Sequence, residues 1–252
     1  MKKDTNITLS IIIITLLLMM TSCKKSPLAY GDVVTVTRDI PAFNSLSLHN
    51  NIDVTLIMSD SFKIELTTCE NLINGIVIEV NDSLLILRDD NTINWIREYD
   101  YPLEATIYYD SQITKIHYSS VGLLRSDDYI VDDSTSTFEL FVEDGGGEIS
   151  LNLRCKHLII DSNGGATGIK FKGRSRTSDI RQDSYGPILL DEFISDTVKA
   201  VNIGANDIFL HCNNSLRTYI YSSGNIYYKG TPTISSLISP YAIGRLIPIN
   251  NE

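Results

Sequence analysis

Four carboxylates crowd one short stretch of this chain, Asp127-Asp128 and Asp132-Asp133. Two carboxyls a defined distance apart can cleave a glycosidic bond, one as acid and the other as base or nucleophile. These four stand in a polar segment between strand patterns, where solvated acids are ordinary. No carboxylate recurs at an interval that would set two side by side, so catalysis is not expected of them. The histidines His49, His117, His157 and His211 give no metal pattern either. Only His211 has a cysteine beside it, Cys212, and neighbours on a strand point to opposite faces. No zinc site is expected. Gly145-Gly146-Gly147-Glu148 echoes a glycine-rich calcium repeat once, with glutamate where aspartate belongs, and reads as a turn. The chain carries no Gly-x-Ser-x-Gly, phosphate loop or dinucleotide fingerprint, and no cofactor is expected. Tyrosine, with 13 copies, is the one suggestive excess. Tyr219, Tyr221 and Tyr227 are the candidate ligand-binding residues, because tyrosines exposed on a flat sheet stack on sugar rings or partner proteins. The competing reading is padding of a sheet surface, for which tyrosine has high propensity.

The formal charge of −10 argues against nucleic acid as a partner, since a phosphate-binding surface needs a cationic face. With 43% apolar residues in 252, there is material for one large domain or one elongated array. Lys2 and Lys3 precede an apolar run over residues 11–20, too short for a dependable membrane span and right for a signal-peptide core. It ends in Met20-Thr21-Ser22-Cys23, which resembles a bacterial lipobox with Met20 in place of the usual leucine. Residues 1–22 are therefore expected to be a removable lipoprotein signal. Cys23 is expected to carry the lipid, and residues 23–30 to be a tether. Several acyl chains on one cysteine would make the membrane itself the first partner.

Positioning any binding side chain falls to strands. Period-two alternation marks Leu46 and Leu48, then Ile52, Val54 and Leu56, then residues 62–66, 103–109 and 113–118. Residues 76–80 and 84–87 read as a hairpin across Asn81-Asp82-Ser83. The one helical piece lies near residues 69–74. From residue 138 to 230 a single unit repeats: an alternating strand, a Gly/Asn/Ser/Asp cluster, a second strand. The clusters begin at Gly145, Asn163, Ser184, Gly204 and Ser223, and each precedes an isoleucine. Ile149, Ile169, Ile188, Ile208 and Ile226 are separated by steps of 20, 19, 20 and 18 residues. Such regularity predicts stacked rungs, because one rung of roughly 19–20 residues cannot bury its own apolar face and a stack can. The five isoleucines form one inward column. Residues 158–160, 198–201 and 216–220 supply a second. Corner glycines and asparagines are expected to supply left-handed backbone, with Asn206 exposed. A β-sandwich also has many short strands but does not require this spacing. Residues 31–252 form a single domain, in which residues 231–252, with Pro232, Pro240 and Pro248, cap the end. Cys155 and Cys212 follow Ile149 and Ile208 three rungs apart, about 14 Å along the stack, beyond the roughly 7 Å a disulfide tolerates. They are expected to remain unpaired.

Several of these residues also carry a resemblance. Arg38, Phe43 and Leu46, then Ile52-Asp53-Val54-Thr55-Leu56, the glycine-cornered rungs, and Ile226-Tyr227-Tyr228-Lys229-Gly230-Thr231-Pro232-Thr233-Ile234 are similar to the "putative auto-transporter adhesin, head GIN domain" family of Bacteroides-type lipoproteins. The likeness spans about residues 38–240. Tyr185-Gly186-Pro187 and Gly204-Ala205 depart from its fuller Gly-Ser-Gly corners. It implies an all-β, right-handed parallel β-helix; the anchor, the repeat scaffold and the lack of a reactive constellation point to an adhesin-like binding protein without catalytic activity. The partner would be a glycan or a cell-envelope protein. The alternative is a β-helical polysaccharide lyase or glycoside hydrolase. Surface-exported lipoproteins of such bacteria usually resemble one another in acidic residues just after the lipid cysteine. Lys24-Lys25 does not fit that pattern, so an outer-membrane anchor on the periplasmic face is as open as one on the cell surface.

Overall fold

Alternation dries one side of each extended segment, and repetition every twenty or so residues sets that side over its copies in the neighbouring rungs. The computed structural model describes residues 31–91 and 101–249. The signal-like segment, Cys23 and the tether lie outside the described residues. The chain runs through β1 (Val33–Asp39), β2 (Ser45–Asn50), β3 (Asp53–Met58) and β4 (Lys63–Cys69) to one 3-10 turn at Ile73–Gly75. β5 (Ile76–Asn81), β6 (Leu84–Asp89), β7 (Glu104–Tyr109) and β8 (Lys115–Ser120) follow. The long strands β9 (Leu123–Glu143), β10 (Glu148–Asn163), β11 (Gly168–Asp183), β12 (Ile188–Asn202) and β13 (Ile208–Ile220) carry the repeat. β14 (Ile226–Lys229), β15 (Thr233–Ile238) and β16 (Leu246–Pro248) complete the chain. The fold is an all-β solenoid of about seven turns, with rungs about 20 residues apart.

β9 to β13 pair in parallel, each with the next. The isoleucine column is continuous: Ile149, Ile169, Ile188, Ile208 and Ile226 lie in direct register, and each is 0% exposed. It extends to Leu246 at one end and through Leu124 and Val54 to Ala105 at the other. The second column runs Phe138, Leu158, Ser178, Val198, Leu216 and Ile234.

The N-terminal third departs from pure repetition. β1 and β4 pair antiparallel, as do β4 and β7, and the β5–β6 hairpin closes the other edge. The hairpin turn has Asp82 at φ 49° and Ser83 at φ 65°, the mirror-image turn that matches strand twist. At the far end, residues 233–238 and 246–248 add strands to β13 and β14, and so form the last partial rung.

At most corners glycine serves for a reason other than the expected one. Among the glycines at the later corners only Gly164 and Gly165 have positive φ, at 69° and 62°. Elsewhere the limit is rung-on-rung crowding: a Cβ at Gly186 would lie 1.9 Å from the Thr167 carbonyl oxygen, and one at Gly224 2.0 Å from that of Asn206. Asn206 is half-buried rather than exposed, since its Nδ2 donates to the Tyr185 carbonyl at 2.8 Å. An inward polar residue ties down several corners from within. Gln182 Nε2 donates to the Gly186 carbonyl at 2.6 Å. Asn202 Nδ2 donates to the carbonyls of Asn206 and Asn225 at 3.0 and 3.3 Å, and its Oδ1 accepts from Gly204 N. Tyr118 makes the equivalent bond to the Gly122 carbonyl. Such bonds help satisfy the turn carbonyls, and that of Asn225 also accepts from Ile208 N at 2.9 Å.

Ile188→Ala should cost roughly 2–5 kcal/mol in urea melts, and Ile188→Asp more, because the carboxylate has no partner in the column. Paired with Ile208→Ala, the alanine variant should be non-additive, whereas Ile149→Ala and Ile226→Ala should nearly add. A wild-type midpoint for Ile188→Asp would contradict this packing. Asn202→Ala should lose about 1–3 kcal/mol by stranding the corner groups it bonds. Asn206→Asp, which removes a donor from the Tyr185 carbonyl, should be measurably destabilising rather than neutral.

Candidate ligand groove

Each long strand bends near its middle, and the alternation records where. In β10 both Cys155 and Leu158 point inward, with Lys156 and His157 outward between them. In β12 Asp191 and Glu192 both face out between Leu190 and Phe193. A bend narrows the interior, and the residues inside it are small. Cys155, Ser175, Ser195 and Cys212 occupy one register column. Ser175, Ser178 and Ser195 close a buried triangle of hydroxyls at 2.8–2.9 Å. Burial pushes the Cys155 thiol up to about 12 and also raises Cys212 and Cys69, so all three stay protonated and poorly nucleophilic.

Outside the bend lies a groove. Two cavities of about 450 and 440 Å³ share Arg154, Arg174, Ser175 and Asp196. One adds Tyr129, Gly173, Ile194 and Asn213; the other adds Ser134, Arg176 and the buried Cys155 at its floor. The lining thus comes from β9 through β13. Gly173 makes the notch: at φ 123°, a Cβ there would lie 1.9 Å from the Leu153 carbonyl oxygen. Its register partner Phe193 turns inward and meets the Phe171 ring edge-on at 6.4 Å. Arg154 and Arg174 are register partners on adjacent rungs. The Arg154 guanidinium lies 4.4 Å over the Tyr129 ring and 3.2 Å from Asp132. Tyr129 first, then Asp132, raise its already high pKa further. Arg174 and Arg176 are exposed and make no ion pair or side-chain hydrogen bond among the described residues.

The four aspartates are drawn apart. Asp128 accepts from Met58 N at 3.1 Å, Asp132 pairs with Arg154, and Asp133 accepts from Thr135 and Ser136. The Ser136 hydroxyl, then Thr135, hold the Asp133 carboxyl below its ordinary range. Asp127 lines a separate cavity of about 270 Å³ with Arg125 and Glu148. The candidate tyrosines do not share a column. Tyr219 is half-buried beside Val201 and Leu237. Tyr221 is 47% exposed just beyond β13. Tyr227 stacks flat on Phe209 with ring centres 4.7 Å apart. Sequence reading missed the arginines because Arg154 and Arg174 look like ordinary outward strand positions. Their signal was the 20-residue interval between them, the same as that between Ile149 and Ile169.

Unreduced peptide mapping should show no Cys155–Cys212 linkage. Both thiols should resist iodoacetamide at pH 8 until the chain is unfolded. Rapid native-state alkylation would contradict the burial and the raised pKa.

Comparison with known proteins places this geometry. A "putative adhesin" from Bacteroides fragilis NCTC 9343 superposes with a TM-score of 0.76 at 21% identity, covering 86% of this chain and 97% of its own. A "putative adhesin" from Parabacteroides merdae ATCC 43184 gives 0.62 at 16% identity, covering 87% and 97%. A "putative lipid binding protein" from Parabacteroides distasonis ATCC 8503 gives 0.59 at 17% identity, covering 87% and 98%. At these identities the likeness shows the fold alone. No curated protein matches the chain. The family model described as "Putative auto-transporter adhesin, head GIN domain" matches residues 42–232, most of the solenoid, and the chain belongs to that family.

Proposed function

We propose that the protein is a non-catalytic, adhesin-like binding module of the cell envelope, held at the outer membrane through a lipid on Cys23. The observation that carries the binding half is the open groove across β9 to β13, where side chains from five neighbouring strands line one track. A solenoid suits this task. Its ladders hold neighbouring outward side chains about 4.8 Å apart, so an elongated partner meets a regular row of contacts. Descriptions of the structural neighbours as adhesins support the reading. The N-terminal pattern supports the anchor, because basic residues, apolar run and cysteine stand in the order a lipoprotein signal requires. Among the described residues no helix is long and apolar enough to cross a membrane. Lys24-Lys25 leaves the periplasmic leaflet and the cell surface both open as the position of the anchor. Glycan or envelope protein is the partner class, met by the groove or by the exposed Tyr221 region. The β-helical hydrolase or lyase reading is disfavoured by Asp128, Asp132 and Asp133, each engaged with a structural partner.

Cys23→Ala should abolish labelling by a palmitate analogue and move the protein out of the membrane pellet. Retention of label and pelleting by the variant would refute the anchor. The labelled, unmodified chain should also bind whole cells or envelope fractions of its own kind in a saturable way.

A further inference from the structure

The groove is chemically unusual for this molecule. In a chain of formal charge −10 it gathers Arg154, Arg174 and Arg176 along one bend. Arg154 and Arg174 face each other across one rung spacing, about 4.8 Å, and Arg176 lies two residues further along β11, roughly 7 Å away. Arg154 is braced by Tyr129 and Asp132, so its fork is held in place. Arg174 and Arg176 are unpaired among the described residues and exposed, ready to meet an anion. Guanidinium forks match carboxylate, sulfate and phosphate oxygens two at a time.

The rest of the lining narrows the ligand. Asp196, half-buried, is an acceptor set among the arginines. It would repel a bare anion but takes hydrogen bonds from hydroxyl groups. Ser134 and Asn213 add neutral polar groups, and Ile194, 39% exposed, adds an apolar surface for the carbon face of a ring. Acidic groups, many hydroxyls and apolar ring faces occur together on acidic sugars. We propose that the groove along the bend binds an acidic polysaccharide, with Arg174 and Arg176 gripping its anionic groups and Asp196 its hydroxyls. This rests on the binding-module reading and names its ligand class. Nucleic acid fits less well, because a DNA strand carries no hydroxyl groups along its backbone for Asp196 to accept from, and the molecule as a whole is acidic.

The full chain, purified in detergent, is titrated with polygalacturonate, dextran sulfate, neutral dextran and a single-stranded oligonucleotide. Polygalacturonate or dextran sulfate should bind at least about tenfold more tightly than neutral dextran, and binding should weaken as salt rises. Whichever of the two binds better identifies the anionic group as carboxylate or sulfate. The double variant Arg174→Ser/Arg176→Ser should lose about tenfold or more in affinity with an unchanged urea midpoint, since both side chains are exposed. Arg174→Lys should retain part of the binding, keeping charge while losing the fork. Asp196→Ala should weaken binding although it removes a negative charge. Unchanged affinity in the double variant, tighter binding by Asp196→Ala, or an oligonucleotide bound as tightly as the polysaccharides would each overturn the proposal. Whole-cell binding retained by the double variant would overturn the groove and leave the module reading intact. Failure of the unmodified chain to bind cells would sink that broader reading instead.

Discussion

Parallel rung-on-rung pairing governs this protein. Once β10 lies in register with β9 and β11, every side chain meets its counterpart about 4.8 Å above and below. Each position in the rung must therefore suit a column rather than an isolated site. Ile149 to Ile226 satisfy this with shape-matched branched side chains, and Gly186 and Gly224 satisfy it at corners that leave no room for a Cβ. On the outside the same rule pairs charge. Arg181 reaches Asp161 at 3.0 Å, Lys115 reaches Glu139 at 3.3 Å, and Lys172 reaches Glu192 at 3.0 Å, all across rungs. Exposed pairs of this kind contribute little stability. Their value lies in register, since a slip of one residue would turn the dry face of a strand to water.

The bend departs from the rule of large apolar columns, and the groove follows from it. Where β10 to β13 turn, the interior holds thiols and hydroxyls instead of isoleucine, and the serine triangle satisfies its own donors and acceptors. The exterior of the same bend splays outward residues apart and opens a track between Arg154, Arg174 and Asp196. Structural and binding demands meet at Ser175, which belongs to the inner hydroxyl triangle and also edges the groove, while the arginines stand wholly outside. Changes among the exposed arginines can alter binding while leaving the inner column intact.

The two ends of the stack are finished differently. At the N-terminal end, antiparallel β1 and the β5–β6 hairpin replace the repeating edge. At the other end, β15 is exposed along its length, including Ile234, Leu237 and Ile238. Parallel edges invite further pairing, so an interrupted, proline-bearing last rung limits how far the ladder can continue.

The sequence by itself determined the solenoid. Interval and alternation are local properties, and the spacing of Ile149, Ile169, Ile188, Ile208 and Ile226 leaves few ways to bury all five. It also determined the β5–β6 turn, through a polar triplet between two apolar runs, and the unpaired state of Cys155 and Cys212, through their separation in rungs. What it left open concerned position across the stack. The antiparallel pairing of β1 and β4 was hidden because alternation is the same for either direction. The corner glycines were assigned to backbone conformation, whereas most answer to a carbonyl on the rung before, an atom some twenty residues away. The pattern leaves Asn206 exposed at a corner, whereas its side chain donates to the Tyr185 carbonyl of the neighbouring rung. The tyrosines, conspicuous by number, were separated into different columns. The arginine groove, which no motif announces, exists only because neighbouring long strands bend at the same height and bring outward charges of different rungs together.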